Sequence, residues 1–246
     1  MNIYHISYAP AVKTVHLHFW GCNLKCRACL LLKEIYDCHL EETKHGIFNR
    51  ERKIADAPER FLSLEEVVQI LERLEVKTVI FMGAEPALDP ELPQLAEALH
   101  KKFGSHNTLL TNGLKLIDLE HIDEVVFSIK AVTDSLHRDY TGKSNKKALS
   151  NFVSLNKSGI TLRTESIFIP EYIDHSEIEN IAGFIARVNP AIPYRIDAYL
   201  PVGDSPWRRP IAEEMDKTVS TARRHLVDVS CLKGNEELKF EVVRII

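Results

Sequence analysis

Hydrophobic and polar positions along this chain switch repeatedly between a period near two and a period near 3.6. Thr14-Val15-His16-Leu17-His18-Phe19-Trp20 is rich in β-branched and aromatic residues and reads as a strand. Over residues 63–75 leucines and valines recur at helical spacing, with Ser63 placed as a cap and Glu66 three residues on. Thr78-Val79-Ile80-Phe81-Met82 is an unbroken apolar run closed by Gly83, the pattern of a buried parallel strand. Residues 90–103 set Leu92, Leu95, Ala96 and Leu99 on one helical face. The alternation goes on with strands at 108–110, 124–130, 160–169 and near 193–200, and with helices at 146–157, near 175–188 and near 212–227. Residues 237–246 again have strand character. Repeated strand–helix units predict a parallel sheet with helices outside. About six units fall short of the eight in a closed barrel, so the expected fold is α/β, a partial (β/α)6 barrel of the TIM type. We expect one domain over 1–246, with a core at about 14–230, a polar insertion at 38–60 and a C-terminal strand at 237–246. Sites on such folds are built from the loops that follow the C-terminal ends of the strands.

Composition narrows the function classes. The chain has 246 residues, a formal net charge of −4 and 27% charged residues, which gives no electrostatic reason to expect nucleic acid as a partner. No apolar run reaches the length of a membrane span, and the first residues lack the basic-then-apolar order of a signal peptide. We therefore expect a cytoplasmic protein whose five cysteines stay reduced. Residues 38–60 are polar and without clear period. They read as a solvated excursion, or as a lid or docking surface for a partner.

The chemistry is concentrated in one loop. Cys22, Cys26 and Cys29 stand in the spacing C-x3-C-x2-C directly after the first predicted strand. Three thiolates on one short loop suit three corners of a cubane iron–sulfur cluster and leave the fourth iron without a protein ligand. Two other readings stay open at this point. One is a structural zinc site completed by Cys38 or His39, in a zinc-bearing structural or binding module. The other is a four-cysteine electron-transfer cluster using Cys38.

The cysteine loop resembles the signature of the radical SAM superfamily, with Ala28 where that family usually has an aromatic residue. The resemblance implies a [4Fe–4S] cluster and S-adenosyl-L-methionine as cofactors, reductive cleavage of the latter, and hydrogen abstraction from a substrate. Gly83-Ala84-Glu85-Pro86 resembles the element whose backbone and carboxylate bind the methionyl ammonium, although taken alone it is a turn. Thr111-Asn112-Gly113, then Phe127-Ser128-Ile129-Lys130 with Asp134, His137 and Tyr140-Thr141-Gly142, is similar to the pattern of the glycyl-radical-enzyme activases, the subgroup of the pyruvate formate-lyase-activating enzyme. Leu110 and Ser128 stand where that subgroup has aspartates, so its monovalent cation site is expected to be altered or absent.

By resemblance, Gly83, Ala84, Glu85, Asn112, Ser128, Lys130 and Arg163 are the cofactor-binding residues. Taken alone, Lys130 reads equally as a strand-end lysine reaching solvent, and Arg163 as half of an ion pair with Glu165 or another acid. His16, His18 and Cys231 read as structural, with His16 and His18 sharing one strand face that could line the cavity. The implied partners are a glycyl-radical protein or a small-molecule substrate, the latter as in the short 7-carboxy-7-deazaguanine synthases. A flavodoxin or ferredoxin is the implied electron donor.

Overall fold

The computed structural model describes residues 1–32, 37, 39–40, 56–234, 236 and 239–246. Most of the 38–60 insertion, Cys38 included, lies outside the described residues. Nine strands form one sheet among the described residues: β1 (Ile3–Ala9), β2 (Thr14–Phe19), β3 (Thr78–Gly83), β4 (His106–Thr111), β5 (Glu124–Ser128), β6 (Thr161–Phe168), β7 (Tyr194–Ala198), β8 (Val229–Leu232) and β9 (Val243–Arg244). Their order is β8-β7-β6-β5-β4-β3-β2-β1-β9. Strands β2 to β8 run parallel, and β1 pairs antiparallel with both β2 and β9. The sheet has two ends, so the barrel is partial.

Six α-helices lie between the strands among the described residues: α1 (Leu64–Leu71), α2 (Leu92–Phe103), α3 (Asp134–Thr141), α4 (Lys146–Ser158), α5 (His175–Val188) and α6 (Ala212–Ala222). The signals that predict α1 act as expected. Ser63 Oγ accepts from Glu66 N at 3.2 Å, and Ser63 N donates to the Glu66 carboxylate at 2.9 Å. This reciprocal pair satisfies two of the donors that a helix start leaves orphaned. Helix α6 stops earlier than its apolar pattern suggests. The chain turns at Arg223, and Val227 N reaches back to Pro190 O.

Alternation along each strand divides the sheet into two faces. Val15, Leu17 and Phe19 of β2, Val79 and Phe81 of β3, and Val125 and Phe127 of β5 are fully buried in one core with Val67, Leu71, Leu95, Leu99, Phe152 and Leu155 of the helices. The opposite, inner face of the barrel carries His5, Ser7, His16, His18, Ser128, Glu165, Arg195 and Asp197 on alternate positions. The inner face is therefore polar at these positions of β1, β2, β5, β6 and β7.

The structure corrects the sequence expectation in three places. The parallel run has seven strands rather than six, because Val229–Leu232 forms the short β8. Strand β1, buried along its whole length, was not expected, since its polar histidine, serine and tyrosines mask the apolar half of the pattern. The C-terminal strand shrinks to Val243–Arg244 on β1, with residues 237–238 outside the described set.

Gly83 ends β3 with φ at +105°, and a Cβ there would stand 2.7 Å from Phe19 N and from Phe19 O. Both neighbours are backbone in the middle of the sheet and cannot give way. Gly83→Ala is expected to cost about 2–3 kcal/mol or more in urea denaturation, combining backbone strain with overpacking. Ser63→Ala, which removes only a cap, should cost about 1 kcal/mol. Equal losses from the two would show that the β2–β3 contact is looser than described.

Candidate functional site

The cysteine loop leaves β2 directly after Phe19 and has no strand or helix of its own through Cys29. Its backbone is tied instead to the end of α3. Lys25 N donates to Thr141 O at 2.9 Å and Arg27 N donates to Tyr140 O at 3.0 Å. A helix end leaves its last carbonyls without intrahelical partners, and here the loop amides use two of them. Cys29 N closes the loop on Cys26 O at 3.2 Å. Ala28 turns inward and joins the core.

Three further loops, each at the C-terminal end of a strand, converge on this one. After β3, Ala84 N donates to Phe19 O and Glu85 N to Gly21 O, which binds the 83–85 segment to the start of the cysteine loop. Ala84 has an ordinary backbone conformation, because Lys13 and Glu171 are the non-glycine residues with positive φ among those described. Its Cβ at this point therefore carries no backbone strain. After β4, Thr111 Oγ1 donates to Glu85 Oε1 at 2.6 Å and Asn112 N donates to Glu85 Oε2 at 2.7 Å, while Ala87 N donates to Oε1 at 3.2 Å. Asn112 Nδ2 then donates to Asn23 Oδ1 at 2.8 Å and lies 3.7 Å from Cys22 Sγ. Gly113 permits this turn. Its φ is +71°, and a Cβ would overlap the Phe127 ring at 1.9 Å.

Lys130 follows β5 and is half-buried. Its pKa is raised: burial works to lower it, but Cys26, Glu165, Cys29 and Cys22 together outweigh that. One ammonium thus interacts with all three cysteines of the loop. Burial pushes the Cys26 thiol up to about 11, against the pull of Lys130. Burial also lifts Cys22, and Glu85 adds to it. Burial raises Glu85 as well, with Thr111, Asn112, Ala87 and Lys130 drawing it back.

Deeper in the barrel Ser128 donates to Glu165 Oε1 at 2.5 Å. Arg195 joins Glu165 at 2.6 Å to Asp197 at 2.8 and 3.0 Å. Arg195 and Asp197 were not among the expected site residues. Their signal is the alternation Tyr194-Arg195-Ile196-Asp197-Ala198, which sets two opposite charges on one strand face. Burial raises Asp197 to about 6, with Arg195 opposing and Glu165 adding.

The expected residues Gly83, Ala84, Glu85, Asn112 and Lys130 therefore gather around Cys22, Cys26 and Cys29, and Ser128 stands one step below them. Arg163 does not join. It pairs with Glu124 at 3.5 Å, and its side chain is 52% exposed. It lies opposite Val126, two positions before the Ser128–Glu165 pair and so about 7 Å closer to the N-terminal mouth. Above the cysteines the rim is aromatic. The Arg27 guanidinium lies 4.9 Å from the Trp207 ring centroid and 5.5 Å from that of Tyr172, and these two rings stack at 4.2 Å. Asp139 holds Arg27 at 2.7 Å and accepts from Tyr172 Oη at 2.5 Å.

The donor set fits an iron–sulfur cluster. Three free thiols lie on one loop, and a nearby ammonium can balance the negative charge such a cluster would bring. Comparison with known proteins agrees. A sequence model described as the radical SAM superfamily matches residues 17–185. The chain is 27% identical over 239 residues to a protein of Methanocaldococcus jannaschii provisionally named a glycyl-radical enzyme activating enzyme, covering 94% of this chain and 84% of that one. In fold it is similar to a domain of pyruvate-formate lyase-activating enzyme from Bacteroides vulgatus, with a TM-score of 0.54, 17% identity, and coverage of 63% of this chain and 99% of that one. It is also similar to SuiB of Streptococcus suis bound to S-adenosylmethionine, with a TM-score of 0.61, 18% identity, and coverage of 86% and 48%.

Two outcomes follow from this geometry. Glu85→Gln keeps the shape, but its amide nitrogen must face a backbone donor, Asn112 N on one side or Ala87 N on the other. A loss of about 1–3 kcal/mol in chemical denaturation is expected. The second concerns pH. A carboxyl that holds its proton more tightly when folded favours folding at low pH and loses that contribution as pH rises through its folded pKa. Asp197 should therefore reduce stability as pH climbs from about 4 to about 6. Asp197→Asn should remove that slope from the stability profile, and a wild-type profile that rises across this window for the Asp197-dependent part would refute the assignment.

Proposed function

Because the chain belongs to the radical SAM superfamily, we propose that it acts as an activating enzyme, taking a hydrogen atom from a glycine of a partner polypeptide. The family's cofactors are a [4Fe–4S] cluster and S-adenosyl-L-methionine. When bound, they supply one-electron cleavage of a sulfonium carbon–sulfur bond, giving methionine and a 5′-deoxyadenosyl radical.

The observation that carries this reading is the convergence of three cysteines on one lysine at the C-terminal mouth of the barrel. Cys22, Cys26 and Cys29 would hold three irons. Lys130 offsets the negative charge of the thiolates from below. Gly83 and Ala84 would present main-chain oxygens to the methionyl ammonium. The Glu85 oxygens are engaged by Thr111, Asn112 and Ala87, so this carboxylate fixes the turn and adds negative potential beside the ammonium. Asn112 ties the turn after β4 to the cysteine loop through Asn23. Ser128 orients Glu165, which with Arg195 and Asp197 lines the barrel beneath the reacting centre. Arg163, paired with Glu124 near the far mouth, takes no part.

The rim supports a polypeptide partner. Trp, Tyr and Arg side chains dominate the binding energy of protein interfaces, and Arg27, Tyr172 and Trp207 form such a cluster beside the cysteine loop. The overall likeness to the M. jannaschii protein points the same way. An oxygen-sensitive cluster of this kind suits a reducing, cytoplasmic setting with a flavodoxin or ferredoxin as donor. No helix among the described residues is long and apolar enough to cross a membrane.

Anaerobic reconstitution should give about four irons per chain, and dithionite with S-adenosylmethionine should release 5′-deoxyadenosine. Cys26→Ala should abolish both. With a candidate glycyl-radical protein added, electron spin resonance should show an organic radical doublet on that protein. Trp207→Ala should slow this transfer several-fold and leave partner-free cleavage unchanged. A modified small molecule with no protein radical would instead place the enzyme with the small-molecule members of the family. A colourless protein with stoichiometric zinc on the three cysteines would reject the radical reading altogether.

A further inference from the structure

A second set of ligand-type side chains sits on the inner face of β1 and β2, and the proposed reaction uses none of it. His5 of β1 stands opposite His18 of β2, and Ser7 opposite His16. Asp37 folds over both histidines. Its Oδ2 is 3.1 Å from His5 Nε2 and 3.2 Å from His18 Nε2. The three side chains are 3%, 2% and 0% exposed. All three ligand atoms lie within 4.8 Å of one another.

Hydrogen bonds alone do not satisfy both histidines. His5 Nδ1 is 2.5 Å from the main-chain oxygen of Ile246, so that nitrogen carries the proton. In the neutral ring Nε2 then offers a lone pair, and it faces a carboxylate oxygen that has only lone pairs. His18 Nε2 is as close to the same oxygen, yet it makes no hydrogen bond. A proton on His5 Nε2 would answer the first contact, and a proton on His18 Nε2 would still be out of line with that oxygen. A cation among the three atoms answers both.

Both carboxylate–imidazole spacings also fit. With bonds of about 2.0–2.1 Å, neighbouring ligands of a tetrahedral ion lie about 3.3 Å apart. The observed 3.1 and 3.2 Å are close to that edge. The surroundings have the form that supports metal ligands. A ligating histidine commonly gives its other N–H to a carbonyl, and a ligating carboxylate is itself hydrogen-bonded. His5 does the first with Ile246. Asp37 Oδ1 accepts from His39 N at 2.9 Å and faces His39 Nδ1 at 3.0 Å, while the His39 ring stacks on His16 at 4.6 Å.

We propose that His5, His18 and Asp37 bind a divalent transition ion of the zinc type, separate from the cysteine loop. Two imidazoles and one carboxylate form a donor set for such ions, and three protein ligands leave a position for water or for an oxygen of a substrate. The ion would pin residue 37 to β1 and β2. This inference is independent of the reaction proposed above.

The test is metal analysis of the anaerobically reconstituted holoprotein after zinc addition and passage over a chelating resin. About one zinc per chain is expected beside the cluster iron. His18→Gln and His5→Gln should each lose the zinc and keep the cluster absorbance and the far-ultraviolet circular dichroism. Absence of zinc from the unmutated protein would overturn the proposal. So would retention in both variants, or loss in Cys26→Ala with retention in His18→Gln. X-ray absorption at the zinc edge needs no variant at all. A first shell of nitrogen and oxygen is expected, and a sulfur shell would refute the site.

Discussion

The cysteine loop depends on hydrogen bonds it cannot make within itself. Between Phe19 and Cys29 the chain forms neither strand nor helix, so its amides need outside acceptors. The end of α3 provides them through the Tyr140 and Thr141 carbonyls. Helix α3 is held in turn from the β5 side. Asp134 in its first turn accepts from Ser144 Oγ and Asn145 N, and Thr133 Oγ1 donates to the buried Glu177 of α5. The position of three sulfur atoms is thus set by the packing of two helices whose sequences contain no cysteine.

Electrostatics on the inner face follows a gradient along the strands. At the C-terminal mouth one lysine serves three thiols and a glutamate. One layer below, Glu165, Arg195 and Asp197 form a partly buried network. Burial makes Asp197 hold its proton to higher pH, and the neighbouring Glu165 carboxylate adds to this while Arg195 opposes it. Lys130 lies between the layers and is counted by both. Replacing it would remove the one ammonium that both layers share.

Much of this was legible in the sequence, for definite reasons. Strand ends carry turn residues, so Gly83 and Asn112-Gly113 were visible as punctuation, and the cysteine spacing announced itself. The capping box at Ser63 gave the start of α1 directly. What escaped detection depends on contacts between distant segments. Strand β1 has no clean alternation because both of its faces are buried. Helix α3 is short and polar, and its buried residues His137, Tyr140 and Thr141 do not read as an apolar stripe. Arg163 and Arg195 look equivalent as strand arginines. Only the register, which places Arg163 opposite Val126 and Arg195 opposite Glu165, shows that they occupy different heights in the barrel.

Register also governs how β1 changes the site. A parallel barrel strand presents its inner residues to two parallel neighbours, but β2 has an antiparallel one on its open side. In that pairing directly opposed residues share a face, so His5 meets His18 and Ser7 meets His16 as cross-strand pairs. Neither strand alone would bring two imidazoles together this closely. His18 is four residues before Cys22, so the Cα atoms of these two residues are at most about 13–14 Å apart. That bound is short enough for shared electrostatics. Tyr4, which burial lifts to about 12, is affected by Asp37 on one side and Cys29 on the other. The antiparallel strand that falls outside the repeating unit thus carries, in Tyr4, one group that feels charge both at the histidine pair and at the cysteine loop.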